Sequence, residues 1–169
     1  MRVRLRNEGG FGLIELLLAM MMLNIGLLAV VAAFNSGIVT LQRASRVTTA
    51  SVLADQQMER FREITYANIR LDSTAATTAD ADTTYRNDTA RSYPTAMVTD
   101  TCAGVPNECN PSRVATGADR RQYRIDTYIL QQTPTGGRPV KVVTVVVRDA
   151  SVLTRTYVRQ ASTFDQSTG

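Results

Sequence analysis

The chain has neither histidine nor tryptophan among its 169 residues. Without histidine it cannot build a Ser-His-Asp or Cys-His catalytic site, nor a histidine metal site. Cysteine is limited to Cys102 and Cys109, too few for a structural zinc site without further ligands. A phosphate-binding glycine motif is missing as well. Gly136-Gly137 sits in a turn cluster and lacks the following helix and lysine. These absences argue against an enzyme and imply no cofactor. Proline is scarce, and none falls between Phe11 and Tyr66, so nothing there breaks a helix. Charge is absent from one long stretch, Leu16 to Phe34, whose only strongly polar side chain is Asn24.

That uncharged stretch is introduced by Gly9-Gly10-Phe11-Gly12-Leu13-Ile14-Glu15, preceded by Arg2, Arg4 and Arg6 against a single acid, Glu8. As a helix, Phe11 to Phe34 would be about 36 Å long, enough for a hydrocarbon core of about 30 Å. The segment therefore reads as a membrane span. The basic tip holds its N-terminus in the cytoplasm and sends the rest outward. Glu15 is out of place in such a run, where an ionised carboxylate costs about 2.5–3.5 kcal/mol at the helix centre and less near the interface. A cation to match it arises if the chain is cut before Phe11, since the new α-amino group can pair with Glu15 of a neighbouring chain. Gly9 and Gly10 offer a peptidase backbone without side-chain obstruction. Two plainer readings compete. A secretory signal ending at Val31-Ala32-Ala33 would have an apolar core far beyond the usual length of about 7–15 residues, with Glu15 inside it. A simple single-span anchor leaves Gly9, Gly10 and Glu15 without a role.

Gly10-Phe11-Gly12-Leu13-Ile14-Glu15-Leu16-Leu17 resembles the N-terminal signature of type IV prepilins and type II secretion pseudopilins. That signature is a short basic leader ending in glycine, then Phe-Thr-Leu-Ile-Glu and a hydrophobic helix. The resemblance covers roughly the first 35 residues, a short motif whose parts fall in place together. It implies cleavage after Gly10 by prepilin peptidase, N-methylation of Phe11, and a role for Glu15 in recruitment into a growing filament. It also implies a cytoplasmic-membrane precursor whose partners are other pilin or pseudopilin subunits and the assembly platform. The chain departs from the pattern at Gly12, where Thr is common. Major pilins commonly carry a proline within the helix; its absence here suits a minor pilin or a pseudopilin.

The rest of the chain reads as one α+β domain behind the helix. The expected layout is a leader at 1–10, a membrane or filament-core helix at 11–34, and an extracytoplasmic domain at 35–169. From Asn35 to about Tyr66 an apolar stripe through Leu41, Ala44, Val47, Ala50, Ala54, Met58, Phe61 and Thr65, widened by Leu53 and Ile64, continues the helix in water. Residues 72–121 read as largely polar loop. The Thr/Ala-rich part, Ser73 to Thr84, lacks large apolar residues to offset the entropy of ordering. Asp72, Asp80, Asp82 and Asp88 raise the thought of calcium, but their spacing fits no twelve-residue calcium loop. Cys102 and Cys109 bracket a turn-rich stretch, and in an exported domain they read as a small disulfide loop rather than two free thiols.

Residues 122–160 read as an antiparallel meander. Gln122–Gln131 alternates, Val140–Arg148 is apolar enough for a central strand, and Leu153–Gln160 supplies a third. Packed on the helix, the strands give a single core. Arg120, Arg121 and Arg124 form the densest basic cluster, with Tyr123 and Tyr128 nearby. Nucleic acid is a weakly supported partner for it, because alternation puts Arg121 and Tyr123 on the face opposite Arg124 and Tyr128. A solvated strand edge that resists aggregation is the preferred reading. The net charge of +4, half of it in the leader, adds no argument for nucleic acid.

Overall fold

The structure, a computed structural model, describes residues 12–92, 95–104 and 106–166. The leader and the Gly10–Phe11 junction lie outside the described residues. The chain forms two compact units that divide between Arg43 and Ala44. Helix α1 (Leu13–Glu63) contributes to both. In the first unit it is the sole element among the described residues, and every side chain from Leu13 to Arg43 is exposed.

In the second unit α1 is the spine of an α+β fold. Strong helix formers and the lack of proline carry the helix to Glu63, and Arg60 and Arg62 complement the negative end of its dipole. A turn of 3-10 helix, Tyr66–Asn68, leads to β1 (Leu71–Asp72), α2 (Ser73–Asp80) and α3 (Thr83–Arg86). Then follow β2 (Thr99–Asp100), β3 (Ser112–Thr116), β4 (Gln122–Gln132), β5 (Val140–Asp149) and β6 (Thr156–Phe164). The last four form an antiparallel sheet in the order β3-β4-β5-β6, and β1 pairs with β2 in a small parallel ladder.

The core lies between α1 and one face of the sheet. Ala50, Leu53, Ala54, Met58 and Phe61 meet Tyr123, Ile125 and Ile129 of β4 and Val143, Val145 and Val147 of β5. The expected stripe is thus buried from Ala50 to Phe61, with Ile64 partly covered and Thr65 exposed. Leu41 and Val47 stay 71% and 37% exposed. The other sheet face carries a smaller cluster of Tyr85, Tyr128 and Val146. The Tyr85 and Tyr128 rings stack with centroids 4.5 Å apart. Val146 on one side and Val145 and Val147 on the other give β5 the two-sided burial its apolar sequence suggests.

Three local expectations need correction. Residues 73–84, read as loop, hold α2 and the start of α3. Asp72 accepts from the Ala75 N–H at 2.9 Å and Asp82 from the Thr84 N–H at 2.8 Å, so each short helix has a side-chain N-cap. Burial of Ala76 and Tyr85 supplies the apolar contact that composition alone did not promise. The meander gains β3 as a further strand, drawn from the supposed loop. The last strand begins at Thr156 rather than Leu153. Asp149 accepts from the N–H and hydroxyl of Ser151, and Arg155 N donates to Val152 O, which lengthens the β5–β6 turn.

Candidate functional site

The first candidate is the helix surface from Leu13 to Phe34. Its best eighteen-residue window has mean hydropathy 2.5, and none of that window is buried. Leu23, Leu28 and Phe34 are about as exposed as side chains on an isolated helix, at 71%, 68% and 70%. Leu13 to Phe34 rises about 33 Å, the thickness of a hydrocarbon core. A patch this large needs lipid or protein to cover it. Two polar side chains within and just beyond the run bond carbonyls of their own helix: Asn24 Nδ2 donates to Met20 O at 3.0 Å, and Thr40 Oγ1 to Ser36 O at 2.9 Å. Asn24, the one strongly polar side chain from Leu16 to Phe34, thus has its amide donor matched within the helix, which lowers the cost of covering this surface with apolar groups.

Glu15 is the one charge in this surface from Leu13 to Phe34, and it lies in the first turn of α1. Its own N–H bonds Gly12 O at 2.9 Å. A carboxylate there meets the positive end of the helix dipole, worth about 0.3–1 kcal/mol and therefore smaller than the cost of placing the charge in lipid. The balance leaves room for a partner cation. Gly10 and Phe11, the residues assigned to processing, lie outside the described residues.

Cys102 and Cys109 form a disulfide, with Cα atoms 6.4 Å apart. In the chain-entropy account a loop this short stabilises by about 2–3 kcal/mol. Gln57, unremarked in the sequence, tethers this loop to α1. It is fully buried, its Nε2 donates to Asn107 O at 3.1 Å, and its Oε1 accepts from Arg113 at 3.0 and 3.2 Å.

The outer face of the sheet holds the densest polar chemistry of the domain. Arg124 on β4 is the cross-strand partner of Arg148 on β5, two like charges that would repel if left alone. Asp126, fully buried, divides them: Oδ1 takes Arg124 Nε at 2.8 Å and Oδ2 takes Arg148 Nε at 3.0 Å. Ser112 Oγ donates to Asp126 Oδ1 at 2.7 Å. Each arginine then reaches on to the segment above the sheet, Arg124 to Asp82 and Arg148 to Asp88. Asp88 also receives both terminal nitrogens of Arg159, at 2.7 and 2.9 Å. Burial acts to raise the Asp82 and Asp88 pKa values. Hydrogen bonds and charge from these arginines, together with backbone N–H donors, win and hold both below the usual carboxylate range.

The four aspartates weighed for calcium are thereby accounted for within the fold. Asp72 caps α2 and accepts from Cys102 N at 3.1 Å, Asp80 chelates Arg91, and Asp82 and Asp88 hold the sheet arginines. The basic cluster dissolves in the same way. Arg124 is 8% exposed on an interior strand, which corrects its reading as part of a solvated edge. Its charge is tolerated there because two carboxylates meet it. Arg120 and Arg121 sit at the β3–β4 turn, where Arg120 takes a φ of +60°. Gly117 in that turn is fixed by close approach: a Cβ there would lie 2.4 Å from the Thr49 methyl of α1.

The architecture is pilin-like, a long apolar N-terminal helix whose second part carries a four-stranded antiparallel sheet. Comparison with known protein families, with curated proteins and with solved structures finds no match.

Proposed function

We propose that the chain is a minor pilin, processed by prepilin peptidase between Gly10 and Phe11 and assembled through α1 into a type IV pilus serving adhesion, motility or DNA uptake. The observation that carries this reading is the fully exposed apolar helix with Glu15 alone in its first turn, continuous with the spine of an α+β domain. Before assembly the helix rests in the cytoplasmic membrane with the disulfide-bearing domain outside. On assembly it exchanges lipid contacts for helix–helix contacts with other subunits. Glu15 is neutralised there by the N-terminal amine of a neighbour, so that the charge that is costly in lipid favours the filament.

The second reading is a type II secretion pseudopilin with the same processing and the same use of Glu15, and the proline-free α1 fits it and a minor pilin equally. A membrane-anchored or secreted binding domain that never assembles is the rival from a different class. The deciding experiment is the mass and N-terminal sequence of the protein recovered from membranes of its native host. A chain beginning with N-methylated Phe11 is expected. A chain beginning at Met1, or at Phe34 after signal-peptidase cleavage, would overturn the proposal. With processing established, the filament in which the protein is found separates pilus from pseudopilus.

A further inference from the structure

Strand β3 lies at one edge of the four-stranded sheet. Thr127 N donates to Pro111 O and Gly117 N to Arg121 O, both at 2.8 Å, which sets the alternation of the β3–β4 ladder. Odd-numbered residues of β3 bond β4, and the N–H and C=O of Val114 and Thr116 point away from it. Those groups meet no partner among the described residues, whereas Ser112 N is taken by Asn110 Oδ1 at 3.1 Å. Edge strands are usually blunted by proline, a bulge or an outward charge. Here the central residue is Val114, 58% exposed, and no proline falls between Ser112 and Thr116.

The two flanks of this edge differ in chemistry. Toward α2 the surface dips into a groove of about 610 Å³, lined by the small side chains of Ala75 and Ala79 beside Val114. Toward α1 lies Arg113, half-buried, whose guanidinium bonds the neutral Gln57 and meets no carboxylate among the described residues. Burial, and then the charge of Arg60, depress the Arg113 pKa, as befits a cation short of a counter-charge.

We propose that β3 is a docking edge for an extended acidic segment of a partner polypeptide, which adds as a further strand of the sheet. A residue opposite Val114 exchanges backbone hydrogen bonds with it and lays its side chain over the Ala75–Ala79 groove. Its neighbour, opposite Arg113, points to the α1 side and brings a carboxylate to the unmatched guanidinium. A second copy of β3 fits less well. An antiparallel pair centred on Val114 sets Ala115 opposite Arg113 and leaves both arginines unmatched. The inference rests on the sheet edge alone and stands whether or not the chain enters a filament.

The test uses the full chain in detergent micelles and a dye-labelled peptide of alternating glutamate and valine, followed by fluorescence anisotropy. Saturable binding is expected, weakened roughly tenfold when glutamine replaces glutamate in the peptide. Val114→Pro should abolish it while leaving the β4 ladder intact, because the lost N–H faces outward. Arg113→Gln should erase the preference for glutamate over glutamine. Exchange of the Val114 and Thr116 amides should slow in the wild-type complex, a readout that does not depend on any variant folding. Absence of saturable binding, equal affinity for the two peptides, or unchanged exchange at Val114 with peptide bound would each overturn the proposal. So would self-association of the wild-type chain that Val114→Pro removes, which would make a second copy the occupant.

Discussion

Replacing Asp126 with alanine removes the one carboxylate shared by two buried guanidiniums. Arg124 and Arg148 are 8% and 5% exposed and stand opposite each other across β4 and β5. Without Asp126 each retains one carboxylate above the sheet, Asp82 or Asp88, but both lose the group that separates them. Breaking a buried ion pair by deleting one partner costs about 3–5 kcal/mol. For a domain of this size that corresponds to a fall in Tm of about 10–20 °C. The assay is thermal unfolding of the detergent-solubilised chain, followed by near-ultraviolet circular dichroism. With no tryptophan present, that signal comes mainly from tyrosines, and the stacked Tyr85–Tyr128 pair lies beside the altered site. A second construction separates charge from packing. Asp126→Leu combined with Arg124→Met and Arg148→Met should recover most of the loss, since an apolar replacement of a buried ion cluster is often neutral or better. Asp88 keeps Arg159 in that variant, and Asp82 is exposed enough to be hydrated. A loss below about 1 kcal/mol for Asp126→Ala would refute the reasoning, because it would mean the guanidiniums need no shared counter-charge.

Further outcomes follow from other residues. Glu15→Ala should leave cleavage and membrane insertion intact but reduce incorporation into filaments, measured as the sheared-to-membrane ratio on immunoblots; unchanged incorporation would remove Glu15 from assembly. Replacing Cys102 and Cys109 together with serine should lower stability by about 2–3 kcal/mol in denaturant titrations, and reductant should do the same to the wild type alone. Acid should loosen the segment above the sheet. Asp82 and Asp88 are depressed in the folded state, so the stability they contribute is complete above the unfolded value of about 3.9 and is lost as pH falls through their folded values. Asp88→Asn should flatten the stability-versus-pH curve in that window, and an unchanged slope would count against the linkage. Gln57→Leu should cost about 1–3 kcal/mol through the unmet groups of Asn107 and Arg113, seen as earlier unfolding in urea.

Helix α1, strands β4 and β5 and the disulfide were legible because each rests on a local pattern. Three- and four-residue spacing marks Ala50 to Phe61, alternation marks β4, and valine density marks β5 as interior. What escaped notice depends on partners distant in sequence. Three- and four-residue spacing puts Gln57, three after Ala54 and four before Phe61, on the buried stripe, but the groups that satisfy its amide, Asn107 and Arg113, lie far along the chain. The outer-face network had a faint signature, Arg124 and Asp126 sharing a parity with Tyr128, yet its meaning required the register that sets Arg124 against Arg148. The Thr/Ala-rich segment misled for the same reason. Its helices are short and weakly apolar, and its order is borrowed from Tyr85 and from aspartates whose arginines arrive later in the chain.

The sheet is held on its two sides by different forces, and this has a thermal consequence. The α1 side is apolar, and such contacts weaken on cooling and strengthen in kosmotropic salts. The other side is clasped by buried ion pairs, whose dehydration penalty shrinks on heating and which salt screens poorly. Cold therefore works first on the spine and acid first on the cover, so the domain has two seams that open under different weather.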